Sequence, residues 1–200
     1  MIYGWLILTV LSFGIAFSWW QQRIKRFMVT HLGYGGVRGE FAATGGQFFK
    51  TYFVAGLLMG IGAAALMGTL STFLFARLGK STALIAISVV SYAIYVAFYA
   101  YLRARVTNLV WNHTRLGPLQ FSSTLGARSL LWLYVSNAAA ILGSAGLLIP
   151  WATVRMLKYR VEHFAVAADG DLHEFQGGSD SAVQAAGAEV GEFFDFDMSV

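Results

Sequence analysis

The sequence predicts an all-α integral membrane protein with about four transmembrane helices, a parallel internal repeat and short cytoplasmic β-like loops. Four long apolar stretches carry this prediction, because none of them contains Asp, Glu, His, Lys or Arg and about 20 apolar residues suffice for a helix to cross a bilayer. Charged residues are also scarce, at 12% of the chain, against about a quarter in soluble domains. The predicted spans are residues 2–20, 52–76, 82–102 and 130–154, within a membrane domain 1–160 that precedes a C-terminal tail 161–200.

The first stretch begins directly at Ile2 and ends in Trp19 and Trp20, with Arg23 close behind. Aromatic residues followed by basic ones are typical of a membrane interface that holds a span in place. A signal peptide instead carries basic residues before its apolar run and small residues at a cleavage site. We therefore predict that residues 2–20 form a retained span.

The second stretch carries small residues at every fourth position, which places them on one helix face where another backbone can approach closely. Packing within the chain is the first interpretation of this face, and a homodimer is the alternative. The fourth stretch repeats the spacing once. The candidate packing residues are Gly56, Gly60, Ala64, Gly68, Ala139 and Gly143.

The third stretch has a mixed polar face at helical spacing. Such a face can line a groove for a lipid head group or a small amphiphile, whereas the alternative is that its hydroxyls bond to neighbouring helices or to their own backbone. The candidate groove residues are Ser88, Ser91, Tyr92, Tyr95 and Tyr99.

The fourth stretch contains Gly143 to Gly146 near its middle and Pro150 near its end. A single tilted or proline-kinked helix is the favoured interpretation. A hairpin that turns back within the membrane is the alternative, and it requires a buried bend because lipid cannot satisfy open backbone groups. Asn137 is expected to form an interhelical hydrogen bond.

Charge is strongly segregated along the chain. Residues 1–161 hold all 14 basic residues and one acid, Glu40, whereas residues 162–200 hold nine acids and no Lys or Arg. The positive-inside bias places loops 21–50 and 103–129 in the cytoplasm. Four crossings would leave nine basic residues inside and five outside, whereas a last stretch that turns back would leave twelve inside and two outside.

The basic rim predicts contacts with lipid rather than with nucleic acid, because its residues are spread over separate segments that flank the apolar stretches. Anionic head groups are attracted to such flanking positions. A membrane-protein partner or a homo-oligomer is also expected from the small-residue faces. The residues predicted to contact head groups are Arg23, Lys25, Arg26, Arg103 and Arg105.

Two loop segments resemble one another at a spacing of roughly 80 residues, which is the signature of an internal repeat. Phe27 to Gly33 matches Trp111 to Gly117, and Phe41 to Thr44 matches Phe121 to Thr124. Leu119 to Thr124 alternates apolar and polar residues as a half-buried strand does. The sequence therefore predicts two short strands, one from each copy, that pair at the membrane surface.

No constellation for catalysis, cofactor binding or metal binding is expected. The chain has no cysteine, and its four histidines have no second ligand at helical spacing. His31 and His113 lie in the two repeat loops, where a metal would need further ligands that these loops do not offer. The spans also lack the buried acids that proton-coupled carriers use.

The tail ends in aromatic residues interleaved with acids, and aromatics exposed to water favour docking. Residues 176–187 are rich in Gly, Ala and Ser, as flexible linkers are. Docking on the chain's own basic loops and docking on a partner remain equal alternatives. The candidate docking residues are Phe193, Phe194, Asp195, Phe196 and Asp197.

Several motifs give a family resemblance that covers nearly the whole chain. They are Asn108 to Gly117, Leu130 to Tyr134, Gly146 to Ala152 and Gly170 to Leu172, with Thr44 to Lys50 similar to a repeat start. The chain resembles the YjgN-like family of uncharacterised bacterial inner-membrane proteins. The resemblance implies a multi-pass protein of the inner membrane and transfers no functional residues. Members are usually longer at the N-terminus, so a shortened chain is expected.

These observations favour a non-enzymatic integral membrane protein that acts as a scaffold or accessory subunit of a membrane complex. Packing signals are abundant in the sequence, whereas signals for chemistry are missing. The alternative is a lipid or small-amphiphile binding or transport protein that uses the polar face of the third stretch and the basic rim.

Overall fold

The computed structural model describes residues 12, 15–34 and 37–168, except the side chains of Tyr34 and Leu58. This part of the chain contains five helices and five short strands. The elements are α1 (Phe17–His31), β1 (Gly33–Tyr34), β2 (Val37–Phe41), α2 (Gly45–Arg77), α3 (Lys80–Trp111), β3 (Thr114–Leu116), β4 (Leu119–Ser123), α4 (Ala127–Gly143), α5 (Ile149–Glu162) and β5 (Phe164–Ala168).

The fold is mixed, so the predicted all-α class with four transmembrane helices is wrong. The described strands form one sheet in the order β1-β2-β3-β4-β5, with antiparallel pairing from β1 to β4. The strands β3 and β4 are joined by a tight hairpin turn. Gly117, with φ of 56°, is the first of the two residues in this turn. A glycine with positive φ at this position matches the twist of paired strands.

The two loop segments meet through their inner strands. Phe41 lies opposite Thr114, and Glu40 lies opposite Arg115. The strand predicted at Leu119 to Thr124 exists as β4, but it pairs with β3 and not with the strand from the first loop. Antiparallel pairing of two hairpins thus replaces the predicted direct pairing of two strands. The internal repeat stays a prediction.

Two helices are long and apolar enough to cross a membrane, α2 with 33 residues and α3 with 32 residues. At about 1.5 Å per residue each extends for about 50 Å, more than the hydrocarbon thickness. They contain the predicted spans 52–76 and 82–102. The predicted span 2–20 lies largely outside the described residues, and its described end belongs to α1, which continues to His31.

The fourth apolar stretch is not one kinked helix, because α4 ends at Gly143 and α5 begins at Ile149, and the two helices pack together as a hairpin. The turn has Ala145 at φ 49° and Gly146 at φ 92°. The Gly146 N–H donates to the Ile141 carbonyl and the Ala145 N–H to the Leu142 carbonyl. This pair of bonds is a Schellman motif, which ends helices.

The chain divides into two compact units. The first contains α1 and nearly all of the sheet, and the second contains α2, α3 up to Leu109, α4 and α5. In the first unit α1 packs on β2, where a Cβ at Gly39 would collide with the Val29 carbonyl. In the second unit a small core forms from the end of α3 and the base of the α4–α5 hairpin; its buried members are Ala104, Leu125, Leu130 and Leu133.

Candidate functional site

The α4–α5 hairpin has a cleft of about 470 Å³ near its base. Three of its lining side chains are cationic and one is acidic, which leaves the cleft with a formal excess of positive charge. Glu162 lies 3.9 Å from the Lys158 ammonium group, and both side chains are largely exposed. The lining residues are Arg128, Ser129, Trp132 and Leu133 from α4, and Arg155, Lys158, Tyr159 and Glu162 from α5.

Arg155 is held in place by neutral groups of α4. Its Nη1 donates to Ser136 Oγ at 2.7 Å and to Asn137 Oδ1 at 3.0 Å, and its guanidinium carbon lies 5.2 Å from the centroid of the Trp151 ring. None of these partners carries a negative charge. These contacts fix the position of the guanidinium group beside the cleft.

Asn137 links the two helices, as expected. Its side chain is buried, with an exposed fraction of 7%, and its Nδ2 donates to the Ala152 carbonyl at 3.2 Å. The same amide accepts the bond from Arg155. Buried polar side chains that are fully bonded fix one arrangement of their neighbours, so Asn137 sets how α5 lies against α4.

The base of the hairpin is fixed by Tyr159 and by the segment before α4. The Tyr159 hydroxyl accepts from the Gly126 N–H at 3.1 Å and lies 3.3 Å from the Gly126 carbonyl. The Thr124 N–H donates to the His163 carbonyl at 3.0 Å. The two ends of the hairpin, on either side of α4 and α5, are thereby held together.

A further polar bracket holds the segment between β4 and α4 against α3. Asn108 Oδ1 accepts from Ser123 Oγ at 2.8 Å and from the Leu125 N–H at 2.9 Å, and Asn108 Nδ2 donates to the Leu125 carbonyl at 3.0 Å. This asparagine begins the motif Asn108 to Gly117, but no role for its side chain can be inferred from the sequence. An amide that bonds both backbone groups of one residue positions that residue closely.

The candidate packing face of α2 is open within the described chain. A Cβ added at Gly56, Gly60 or Gly68 would meet no atom within 4 Å, and Ala64 is exposed. In α4, Gly143 is likewise open and Ala139 is exposed. The described chain therefore does not use this face to pack its own helices closely.

The serines of the candidate groove bond to their own helix. Ser88 Oγ donates to the Leu84 carbonyl at 2.9 Å, and Ser91 Oγ donates to the Ile87 carbonyl at 2.8 Å. Tyr92 and Tyr95 are exposed at 70% and 61%, with ring centroids 6.4 Å apart. Tyr99 stacks obliquely on Tyr134 at 5.7 Å. Two tyrosines of this set thus point outward, whereas both serine hydroxyls bond to their own backbone and the Ser91 hydroxyl also lies 3.9 Å from Met67 Sδ of α2.

The basic residues predicted to contact lipid lie on two helices. Arg23, Lys25 and Arg26 are on α1, and Arg103 and Arg105 are in the last turns of α3. The Arg105 guanidinium carbon lies 5.4 Å from the Tyr101 ring centroid. Both groups belong to a helix that precedes a strand of the sheet: Arg23, Lys25 and Arg26 lie in the middle of α1, and Arg103 and Arg105 lie about two turns from the end of α3.

Among the described residues no three His, Asp or Glu side chains come together as metal ligands would. His31 Nδ1 lies 2.8 Å from the Phe27 carbonyl, a contact within its own helix. The candidate docking residues Phe193, Phe194, Asp195, Phe196 and Asp197 lie outside the described residues.

The cationic cleft could not be predicted as a site, because Arg128 and Arg155 are far apart in sequence and meet only when the fourth stretch folds back. Their signal in the sequence was the cluster Arg155, Lys158 and Arg160 directly after an apolar stretch. That cluster predicted a topology and not a site.

Comparison with known proteins gives a family and nothing more specific. Neither the curated proteins nor the solved structures include a match to this chain. Residues 1–193, nearly the whole chain, match the model of a family described as 'Bacterial protein of unknown function (DUF898)'. The chain therefore belongs to this family, the YjgN family.

Proposed function

We propose that this chain is a non-enzymatic inner-membrane protein that serves as a scaffold or accessory subunit, crosses the bilayer with α2 and α3, and binds a protein partner through the glycine face of α2. The face defined by Gly56, Gly60, Ala64 and Gly68 is the observation that carries the proposal. It is open along an apolar helix.

The topology follows from how the chain enters and leaves the sheet. The strand β2 precedes α2, and β3 follows α3, and these two strands pair with each other. A hydrogen-bonded sheet cannot have its strands on opposite sides of a bilayer. The helices α2 and α3 therefore cross in opposite directions, and loops 21–50 and 103–129 lie on one side, the cytoplasmic side by their charge.

The hairpin adds the remaining basic residues to the same side. Thr124 before α4 and His163 after α5 are hydrogen-bonded, so the chain returns to the side from which α4 starts. Arg155, Lys158 and Arg160 then face the cytoplasmic interface. This arrangement gives twelve basic residues inside and two outside, which fits the positive-inside bias better than nine and five.

Lipid can cover an apolar helix, but lipid gives no reason for glycine at every fourth position. Glycine lowers helix stability by about 1 kcal/mol relative to alanine, and its recurrence on one face allows close backbone contact in membranes. Because a Cβ at Gly56, Gly60 or Gly68 would meet no described atom within 4 Å, we infer that a second protein fills the space beside these glycines.

The test replaces one glycine on the face and one off it. Gly62 is equally open but lies on the opposite side of α2 from the centre of the face. The variants Gly60→Leu and Gly62→Leu therefore add the same bulk and hydrophobicity at matched depth. Purification from native membranes in mild detergent should recover a stoichiometric partner with the wild type and Gly62→Leu, and lose it with Gly60→Leu. Equal recovery with both variants would contradict the proposed interface.

The tail is tested separately by deleting residues 189–200. If the aromatic and acidic end of the chain holds a partner, the deletion should release that partner while Gly62→Leu retains it. Unchanged copurification would exclude the tail from the interface and would leave the α2 face as the binding surface.

A second candidate function, lipid or small-amphiphile binding, is favoured by the outward rings of Tyr92 and Tyr95. Native mass spectrometry of the protein released from nanodiscs tests it. A retained lipid or solute that is lost in Tyr92→Leu/Tyr95→Leu would support this function, and the absence of any retained molecule would contradict it.

A further inference from the structure

We propose that the α4–α5 hairpin inserts its tip into the cytoplasmic leaflet and binds the phosphate of an anionic phospholipid in the cleft formed by Arg128, Arg155 and Lys158. This site is separate from the α2 face and from the tyrosines of α3. It does not depend on the assembly role proposed above.

The hairpin is divided along its length into a cationic base and an apolar tip. The cations of the cleft lie near the base, at the start of α4 and in the second half of α5. At the tip, Leu142 and Leu147 are exposed at 81% and 84%, and Ile149 at 53%. Exposed apolar groups of this size favour a membrane or a protein over water.

The backbone N–H groups of the turn at the tip are hydrogen-bonded within the hairpin. The N–H groups of Ser144, Ala145, Gly146, Leu147 and Ile149 donate to carbonyls within the hairpin, and the Leu148 N–H donates to Ser144 Oγ at 3.0 Å. Pro150 has no N–H to satisfy. A turn enters hydrocarbon at low cost only when its donors are bonded internally, and this turn meets that requirement through its own residues.

The dimensions fit one leaflet. From Arg155 to the start of α5 at Ile149 the helix rises by about 9 Å, at about 1.5 Å per residue. One leaflet contributes about 15 Å of hydrocarbon. With Arg155 at the level of the phosphates, the tip therefore reaches into the acyl chains and does not cross the bilayer.

Aromatic residues lie at the level of the cleft and on its tip side: Trp132 lines the cleft, and Trp151 precedes Arg155 by about one turn of α5. Trp132 is exposed at 67% and Trp151 at 48%. Tryptophan concentrates at the membrane interface because its ring is amphipathic. These two side chains, one from each helix, place the interface at the height of the cleft.

The cleft selects an anion because its positive charge has little internal compensation. Residues 127–162 contain one acid, Glu162, against Arg128, Arg155, Lys158 and Arg160. Arg155 is oriented by Ser136 and Asn137, so its position is set before a ligand arrives. A guanidinium group matches the geometry of phosphate oxygens, and Lys158 adds a mobile charge.

The head-group test compares two double variants with the same loss of charge. Arg128→Gln/Lys158→Gln alters the cleft at exposed positions, and Arg77→Gln/Lys80→Gln alters the connection between α2 and α3. The full chain is placed in nanodiscs of phosphatidylcholine with a minor fraction of phosphatidylglycerol, and retained lipids are counted by native mass spectrometry. The cleft variant should retain phosphatidylglycerol about 30-fold less tightly, at the usual contribution of each of the two basic residues. Equal retention in the two variants would overturn the site.

The depth test uses the absence of native cysteine. A bimane label on Leu147→Cys should be quenched by lipids brominated on their acyl chains and protected from iodide. A label on Asn112→Cys, outside the hairpin, should show the reverse. A Leu147 label that is quenched by iodide as readily as the Asn112 label would overturn the insertion. Displacement of phosphatidylglycerol by soluble glycerol phosphate at equal concentration would show a site for free phosphate and would overturn the choice of a lipid.

Discussion

Replacing Asn108 by leucine should separate the segment before α4 from α3. The side chain makes three hydrogen bonds at 2.8, 2.9 and 3.0 Å, to the Ser123 hydroxyl and to both backbone groups of Leu125. Leu125 is buried, with an exposed fraction of 8%, and belongs to the core of the second unit. The substitution keeps the volume of the side chain nearly constant, so its effect reports the polar contacts.

The magnitude follows from the number of bonds. At about 1 kcal/mol for each buried hydrogen bond, Asn108→Leu should lower the free energy of unfolding by about 3 kcal/mol. For a chain of this size that corresponds to a fall of about 6–12 °C in the melting temperature. Asn108→Asp keeps both acceptor bonds but places a carboxylate oxygen against the Leu125 carbonyl, so it should lower stability as well. Ser123→Ala removes one bond and should cost about 1 kcal/mol.

Thermal unfolding in mild detergent, followed by circular dichroism, measures the series, and amide hydrogen exchange at Leu125 reports the local bond. The double variant Asn108→Leu/Ser123→Ala should be no less stable than Asn108→Leu, because both remove the same contact. If Asn108→Leu melts within about 2 °C of the wild type and the Leu125 amide keeps its protection, the bracket does not hold this segment.

Three smaller changes test the other local features. Ala145→Gly should raise the free energy of unfolding by about 0.5–1 kcal/mol, because glycine relieves the left-handed backbone at φ 49°. Ala138→Gly within α4 should lower the free energy of unfolding by about 1 kcal/mol. Equal effects on the melting temperature would contradict this account of the turn. Gly39→Ala should lower the free energy of unfolding by about 1–3 kcal/mol, since the added Cβ would meet the Val29 carbonyl where α1 packs on β2. A melting temperature equal to that of Gly62→Ala would refute the close approach. Glu40→Gln should lower the free energy of unfolding by about 0.2–1 kcal/mol, because Glu40 lies opposite Arg115 on the neighbouring strand. This loss should be smaller at high salt. A loss that does not depend on salt would contradict an electrostatic origin.

The two long helices could be predicted from sequence because their signal is local. Residues 52–76 and 82–102 contain no charge, and length with composition is enough to indicate α2 and α3. The fourth stretch has the same composition, yet it folds back. That difference depends on a non-glycine residue at positive φ, Ala145, and on bonds from Arg155 and Asn137 across the hairpin. Neither feature is visible in composition or periodicity.

The pairing within the sheet and the cleft could not be predicted, for a related reason. Apart from β4, whose alternation is visible in the sequence, the short strands give no periodic signal, and the pairing of Phe41 with Thr114 joins positions far apart in sequence. Arg128 and Arg155 likewise meet only in the folded hairpin. The glycine spacing of α2 was visible, but the open space beside it could be found only in the structure.

The central claim is that residues 37–168 cross the membrane twice, with the sheet and both ends of the hairpin on the cytoplasmic side. Because the chain has no cysteine, single cysteines at Leu78, Asn112 and Val161 can be labelled without background. With a membrane-impermeant maleimide in intact spheroplasts, Leu78→Cys should react, whereas Asn112→Cys and Val161→Cys should react only after the membrane is permeabilised. Labelling of Val161→Cys in intact spheroplasts would mean that the fourth stretch crosses the bilayer and would contradict the account.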